Sequence, residues 1–452
     1  MDKITLALAK KYVDETLAGN GALKGNDGVS VVDAAINDEG RLIITLSDSS
    51  IVDAGMIGLG DSKFCPEEHQ LPILYLDGDT STMTKEVEVN LTYKYKDMEG
   101  TAKVKWQGSS SLAYPKKNYT VKFDTAFEAK DGWGEQKKYA MKANWIDFSH
   151  TRNIAAAKIW GECIRRYEAY VYSPLPLKDL PNGGAVDGFP IVIVINGEYQ
   201  GLYTFSIPKD AWMLGLDESN VNHCIISASG KNNEMCGFMT TPVIDDDQGF
   251  EWEHVSDSAT DADKAKFQTS LQNLYTALQN CDSADKLVTN VGAHLELEKA
   301  VIYMIYCAHL GNYDGLTKNY LLWNSKASTK WNMSAYDLDS TFGNNPYGDT
   351  YYYPGQFDYA RLATTNMIFR KIYDYGQDLI QKWHDRLYML NPGEVNKVLY
   401  QYAVQIPKIY FDQEVKTWKG IPGTYTNNVA QAMSFCTLER QLLESEVKTL
   451  SS

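Results

Sequence analysis

Four side chains with metal-seeking oxygens fall in two short stretches: Asp314 and Asn319 in "NYDGLTKN", and Asp337 and Asp339 in "YDLDSTFG". Hard divalent ions such as Mg²⁺ take oxygen ligands of this kind, usually one or two carboxylates completed by substrate phosphates. An apolar run predicts a helix from about Leu295 to Leu310, followed by the polar loop and then by two short strands, "NYLLWNS" and "KWNMSAYDLDS". A strand pair that folds back on itself returns Asp337 and Asp339 to the end where Asp314 lies. Three carboxylates and an amide then face one cleft. Alternation along a strand points both members of the D-x-D to one side, which leaves open whether Asp337 or Asp339 is the ligand.

The elements that must position this group divide into three stretches. Residues 1–70 read as an appendage. A helix spans about Asp2 to Leu17, a Gly/Asn-rich break follows, and "VSVVDAAIND" and "RLIITLSDSSIVDAG" make a hairpin turning at "DEG". Residues 71–212 are β-rich: "PILYLDG", "KEVEVNLTYKYKD", "TAKVKWQG" and "NYTVKFDT" alternate as strands of an antiparallel sheet. A helix is expected from about Thr151 to Arg166 with Ser149 as N-cap, then a hairpin turning at Asn196-Gly197. Residues 213–452 are mostly helical after a polar, loop-like stretch between Asp217 and Asp263, with helices near Ala262 to Asn280, Leu295 to Leu310 and toward the C-terminus. No internal repeat or low-complexity tract interrupts them.

Composition removes several function classes. The chain has 452 residues, a net charge of -15 and a pI near 5.0, which argues against broad nucleic-acid binding and is compatible with basic protein partners. Its seven cysteines include no C-x-x-C, so neither a disulfide framework nor a structural zinc is expected, and a reducing compartment fits. The first residues carry charges on both sides of a very short apolar stretch, unlike a signal peptide, and no run approaches ~18 uncharged apolar residues, so a cytoplasmic origin without a membrane span is expected. There is no H-E-x-x-H and no G-x-S-x-G, which leaves zincin and α/β-hydrolase chemistry unsupported. His309, at a helix end, is expected to be structural or dipole-stabilised rather than a base. The tyrosines of "DTYYYPGQFDYARL" form either a sugar-binding surface or core packing.

The Asp314 to Asn319 interval is similar to that of protein-kinase catalytic loops. There an Asp orients the substrate hydroxyl, an Asn five residues on binds metal, and a D-F-G Asp after a strand pair binds the Mg²⁺ that bridges the phosphates. Here "NYD" replaces the usual H-R-D and "DLDSTFG" follows the strand pair. The ordered segments "KWQGSSSLAYPKKNYTVKF", "MKANWIDFSHTRNIAAAKI", "VIVINGEYQGLYTFS", "NYDGLTKNYLLW" and "AYDLDSTFG" resemble the CotH family of atypical, spore-coat-type protein kinases, from Val104 to Gly343, roughly half the chain. The appendage loosely resembles the leader of phage and prophage structural proteins, and a plain dimerisation or capping element reads it equally well.

The resemblance implies an α+β fold, bilobal and protein-kinase-like, with a β-rich N-lobe and a mostly helical C-lobe, acting on ATP with Mg²⁺ or Mn²⁺ and on a protein Ser/Thr hydroxyl. It implies Asp314 as the group that orients and deprotonates the hydroxyl, and Asn319, Asp337 and Asp339 as the metal set. Gly108, Ser109, Ser110 and Ser111 would cover the phosphates, although no G-x-G-x-x-G is present and a polar hairpin tip reads the loop as well. Lys122 would contact the α/β-phosphates, with Lys116 and Lys117 as substitutes and a solvent-facing role as the alternative. Glu162 would be its acidic partner. Arg152, beside Asp147 and Asn153, would reach a phosphate, although helix capping explains Asp147 and Ser149 without catalysis. "FSIPKDAW" would be the hinge that holds adenine. The rival readings are a non-catalytic phage or prophage scaffold and a protein AMP-transferase. The place of work expected is the cytoplasm, a spore coat or a phage particle, with the appendage mediating oligomer or particle association.

Overall fold

A computed structural model describes residues 31–36, 41–56, 64–325, 328–349, 351–424 and 428–450. The chain falls into two compact units, Met1–Glu68 and His69–Ser452. In the first, β1 (Val31–Ile36), β2 (Arg41–Leu46) and β3 (Ile51–Met56) form an antiparallel sheet in the order β1-β2-β3. The expected hairpin therefore has a third strand. "SDSS" turns the chain back, with Ser49 at φ +67 and the Asp48 carboxylate accepting the Ser50 N–H at 2.9 Å. The helix expected over residues 2–17 lies outside the described residues.

The second unit begins with seven strands: β4 (Ile73–Asp77), β5 (Val89–Tyr95), β6 (Met98–Gln107), β7 (Asn118–Phe127), β8 (Gln136–Lys142), β9 (Gly188–Ile195) and β10 (Glu198–Ser206). They close into a barrel in the order β10-β8-β7-β6-β5-β4-β9, where an antiparallel sheet was expected. Closure comes from β9, which pairs antiparallel with β10 and parallel with β4, Ile73 opposite Val192. Alternation builds the wall: Val89, Leu91, Tyr93 and Tyr95 of β5 point in and the residues between them out. The interior is aromatic, with the Tyr139 and Phe205 rings 4.7 Å apart and those of Phe189 and Phe205 stacked at 5.1 Å. Each such pair contributes about 0.5–1.5 kcal/mol beyond its buried area. The Asn196-Gly197 turn forms as expected, both residues at positive φ, and the Asn196 amide clasps both backbone groups of Gly78.

The helix Arg152–Glu168 lies between β8 and β9 in the chain, two residues longer at its end than expected. Its cap is not Ser149. The Asp147 carboxylate accepts the Arg152 N–H at 2.9 Å and its guanidinium at 2.7 Å, which completes a buried ion pair at the helix start.

A second sheet, in the order β12-β11-β13-β14, is made of β11 (Cys224–Ser229), β12 (Phe250–Val255), β13 (Lys318–Ser325) and β14 (Ser328–Ala335). β11 and β12 lie inside the stretch expected to be a loop. Cys224 to Ala228 are all buried, so β11 shows no alternation to read. The helix Asp261–Gln279 starts on a capping box between Thr260 and Asp263. The helix Leu297–Leu310 is buried at every residue but Glu298, which makes it a core helix. Helices Tyr359–Thr365, Met367–Tyr375, Gln377–Arg386, Pro392–Ala403, Lys408–Thr417 and Val429–Leu450 complete the unit. One contiguous apolar core runs from Leu74 to Val447, through the expected boundary at 212 and 213. All seven cysteines, each among the described residues, are free. No helix of the described residues is long and apolar enough to cross a membrane.

Candidate active site

The site begins where the buried helix Leu297–Leu310 stops. Gly311 takes the left-handed conformation, φ +59, and turns the chain into the polar loop. Asp314 opens a short 3-10 turn, anchored from below by the Tyr303 hydroxyl donating to Gly315 O at 2.9 Å. Asn319 stands at φ +56 near the start of β13, and its amide donates to the Asp314 carboxylate at 3.2 Å. The β13–β14 register, Tyr320 opposite Ala335, brings the end of β14 back beside this loop. Asp337 follows two residues later, also left-handed at φ +54. With Asn144 at φ +51, three non-glycine residues lining one cleft occupy this sparsely populated region, and the Asp337 turn is held by surrounding bonds: Leu338 N donates to the Asn153 amide oxygen, and Phe342 N to Leu310 O.

Asp314, Asn319, Asp337 and Asp339 line one cleft of about 600 Å³, within the range of small-molecule sites. Gly108, Ser109, Ser110 and Ser111 line it too. Their loop is braced by Lys117, whose ammonium donates to Leu112 O and Tyr114 O, and by Asn118, whose amide reaches the Ser111 hydroxyl. From the barrel, Lys142 at the end of β8 reaches the Asp337 carboxylate at 2.9 Å. Lys209 stands 5.1 Å from the centre of the Tyr336 ring and pairs with Glu253 of β12. Lys318 lies 3.7 Å from Asp314.

The charges are not independent. Burial, helped by Asp337, holds the Asp314 carboxyl above its usual range against the pull of Lys318. Burial, with Asp337 and Asp314 adding to it, pushes Asp339 well up. Asp337 goes the other way. Burial opposes its charge, but Lys142, Lys209 and Lys318 outweigh it and hold the carboxyl down. Carboxylates that repel one another in a poorly solvated cleft are the donor set a cation relieves.

Among the described residues no three His, Cys, Asp or Glu side chains stand close enough to form a ready-made metal cage. Mg²⁺ rarely needs one, because phosphate oxygens and water complete a shell begun by one or two carboxylates. The residues present fit such an ion.

Three sequence-derived assignments do not meet at this cleft. Lys122 is exposed on the outer barrel wall, its neighbours Val121 and Phe123 filling the interior. Pleating turns it outward, away from the site. Glu162 is 37% exposed and pairs with Lys158 and Arg165 of its own helix. Arg152 is fully buried, spent on Asp147, Ser149 and the Gln431 amide of the helix Val429–Leu450. Nor is His309 free for proton transfer: Nδ1 bonds Ile305 O and Nε2 meets Arg440.

What sequence reasoning missed is Lys142 and, two residues on, Asn144, both of which line the cleft. The signal was the run "YAMK", an apolar strand closed by a lysine just ahead of a helix.

A protein-family model described as CotH kinase protein matches residues 104–442, which include Asp314, Asn319, Asp337 and Asp339. No curated protein matches the chain.

Proposed function

Since this chain belongs to the CotH kinase protein family, a kinase-like family, we propose that it transfers the γ-phosphoryl group of ATP to a Ser or Thr hydroxyl of a protein. The observation that supports this most is the β13–β14 register, which stands Asp337 beside the Asp314 to Asn319 loop with Lys142 upon it. In this reading Asp314 orients the attacking hydroxyl and accepts its proton as the bond forms. The Asn319 amide fixes the angle of that carboxylate. Lys142 meets the α- and β-phosphate oxygens, the role first expected of Lys122. Ser109, Ser110 and Ser111 offer hydroxyls to the phosphates from the facing loop.

Asn319, Asp337 and Asp339 would hold Mg²⁺ or Mn²⁺, which would supply positive charge to offset that of the phosphates. Positioning and preorganised charge supply nearly all the rate in this chemistry, so so few residues suffice.

The test uses ATP labelled in the γ-phosphate, with Mg²⁺ or Mn²⁺ and a mixture of protein acceptors. Wild type labels an acceptor and Asp314→Ala does not, while Asp314→Ala still gains thermal stability from Mg²⁺-ATP. Equal labelling by the two proteins overturns the assignment of Asp314. Label transferred instead from a parallel sample of ATP labelled in the α-phosphate identifies adenylyl transfer, and a wild type indifferent to millimolar nucleotide identifies a scaffold.

A further inference from the structure

Lys116 and Glu414 form an ion pair 2.6 Å long with both side chains 0% exposed. The reaction above uses neither. Removing two charges from water costs several kcal/mol per ion, and apolar residues of similar volume commonly serve stability as well or better. Stability alone gives little reason for the pair.

The structure makes room for it. At Gly201 the β9–β10 register shifts and φ is +108; a Cβ there would stand 2.0 Å from Glu414 Oε1. Through this bulge Glu414, on the helix Lys408–Thr417, enters the barrel wall. Its Oε1 accepts the Leu202 N–H at 2.6 Å, while Lys116 donates to Leu202 O as well as to Oε2. Lys116 follows directly on the loop that begins at Gly108, and it lines the cleft.

His150 extends the network to the other wall. Its Nε2 is buried without a hydrogen-bond partner and lies 3.9 Å from Glu414 Oε2. Its Nδ1 stands 3.0 Å from the Asn144 amide nitrogen, which also donates to the Thr204 hydroxyl. With Nδ1 accepting from Asn144, the ring proton sits on Nε2, toward the carboxylate. Asn144 is left-handed at φ +51, lines the cleft, and comes two residues after Lys142. One carboxylate of a C-terminal helix therefore holds the foot of the 108–115 loop directly, and through His150 it borders the segment that carries Lys142.

We infer that Lys116 and Glu414 are positioning residues for the nucleotide: the helix Lys408–Thr417 sets, through Glu414, the spacing between the Gly108 to Pro115 loop and Lys142. This rests on the nucleotide reading of the cleft.

Calorimetric binding of Mg²⁺-ATP, the KM for ATP and kcat, and the Tm test it in the full chain. Lys116→Met and Glu414→Gln each weaken ATP binding by ~10–100-fold, about 1.4–2.8 kcal/mol, with KM moving more than kcat. The double variant Lys116→Met/Glu414→Leu leaves no orphaned charge, so its Tm rises above that of either single variant while ATP affinity stays low. Recovery of both quantities marks a purely structural pair and overturns the inference. So does wild-type affinity in the single variants, an outcome that leaves the nucleotide reading standing. A wild type that binds no ATP overturns that reading and this inference together.

Discussion

Asp314, Asn319 and Asp337 were legible because their separation in the chain is a property of one strand pair. The β13–β14 hairpin converts sequence spacing directly into proximity. Lys142 was passed over: Tyr139, Ala140 and Met141 before it are all buried, so β8 lacks the alternation that marks a strand and only its closing lysine carried a signal. Lys122 was misassigned although its own neighbours argued otherwise, since Val121 and Phe123 on either side claim the interior. The two lysines therefore make opposed predictions. Lys142→Met removes the cation paired with Asp337 and lowers Mg²⁺-ATP affinity by ~10–100-fold, the equivalent of a lost charge-assisted hydrogen bond. Lys122→Met leaves that affinity within twofold or so of wild type, the ordinary scatter of an exposed substitution. Titration calorimetry on both variants decides, and the reverse ranking would return the phosphate contact to Lys122.

At the scale of elements, strands exposed on one face and turns with clear chemistry were readable, and strands buried on both faces were not. β5 and the Asn196-Gly197 turn belong to the first kind, and β11 to the second. The short turn at "SDSS" was overlooked because Ile43 to Val52 reads as a single run until the Asp48 carboxylate is seen to cap the reversal. Helix starts hide long-range partners as well. Arg152 both completes the Asp147 pair and fastens the helix Val429–Leu450 through Gln431. Arg152→Met leaves the buried Asp147 without its counter-charge, at a cost of about 3–5 kcal/mol in urea denaturation; a loss below 1 kcal/mol would show that the pair carries little. The same C-terminal helix holds Glu439, buried, with one oxygen on the Gly355 N–H and the other without a partner. Burial, with Asp358 and Glu446 nearby, raises its pKa from 4.5 to about 7 against the pull of that N–H. Because the folded state holds this proton more tightly, its stabilising share is complete below pH 4.5 and is lost as pH rises through about 7, up to about 3 kcal/mol. Glu439→Gln imitates the protonated group and flattens unfolding midpoints between pH 4.5 and 8; profiles that coincide with wild type refute the assignment.

For the molecule as a whole, the family match and the physical unit do not share a boundary. The match starts at residue 104, inside β6, and stops at 442, inside the helix Val429–Leu450. β4 and β5 lie outside it, yet they are two of the seven staves of the barrel. A fragment of residues 104–442 is expected to be unfolded by circular dichroism, whereas one of residues 69–452 unfolds cooperatively and binds Mg²⁺-ATP as the full chain does. A cooperative 104–442 fragment would show β4 and β5, and with them closure of the barrel, to be dispensable. The closure of that barrel also has a consequence for biosynthesis. β4 is paired on one side by β9, whose register partner leaves the ribosome about 120 residues later. At about 5–20 residues per second the nascent strand waits roughly 6–24 s with one backbone edge uncovered. For that interval the emerging chain offers chaperones, or a neighbouring polysome product, a row of amides that the finished protein never shows.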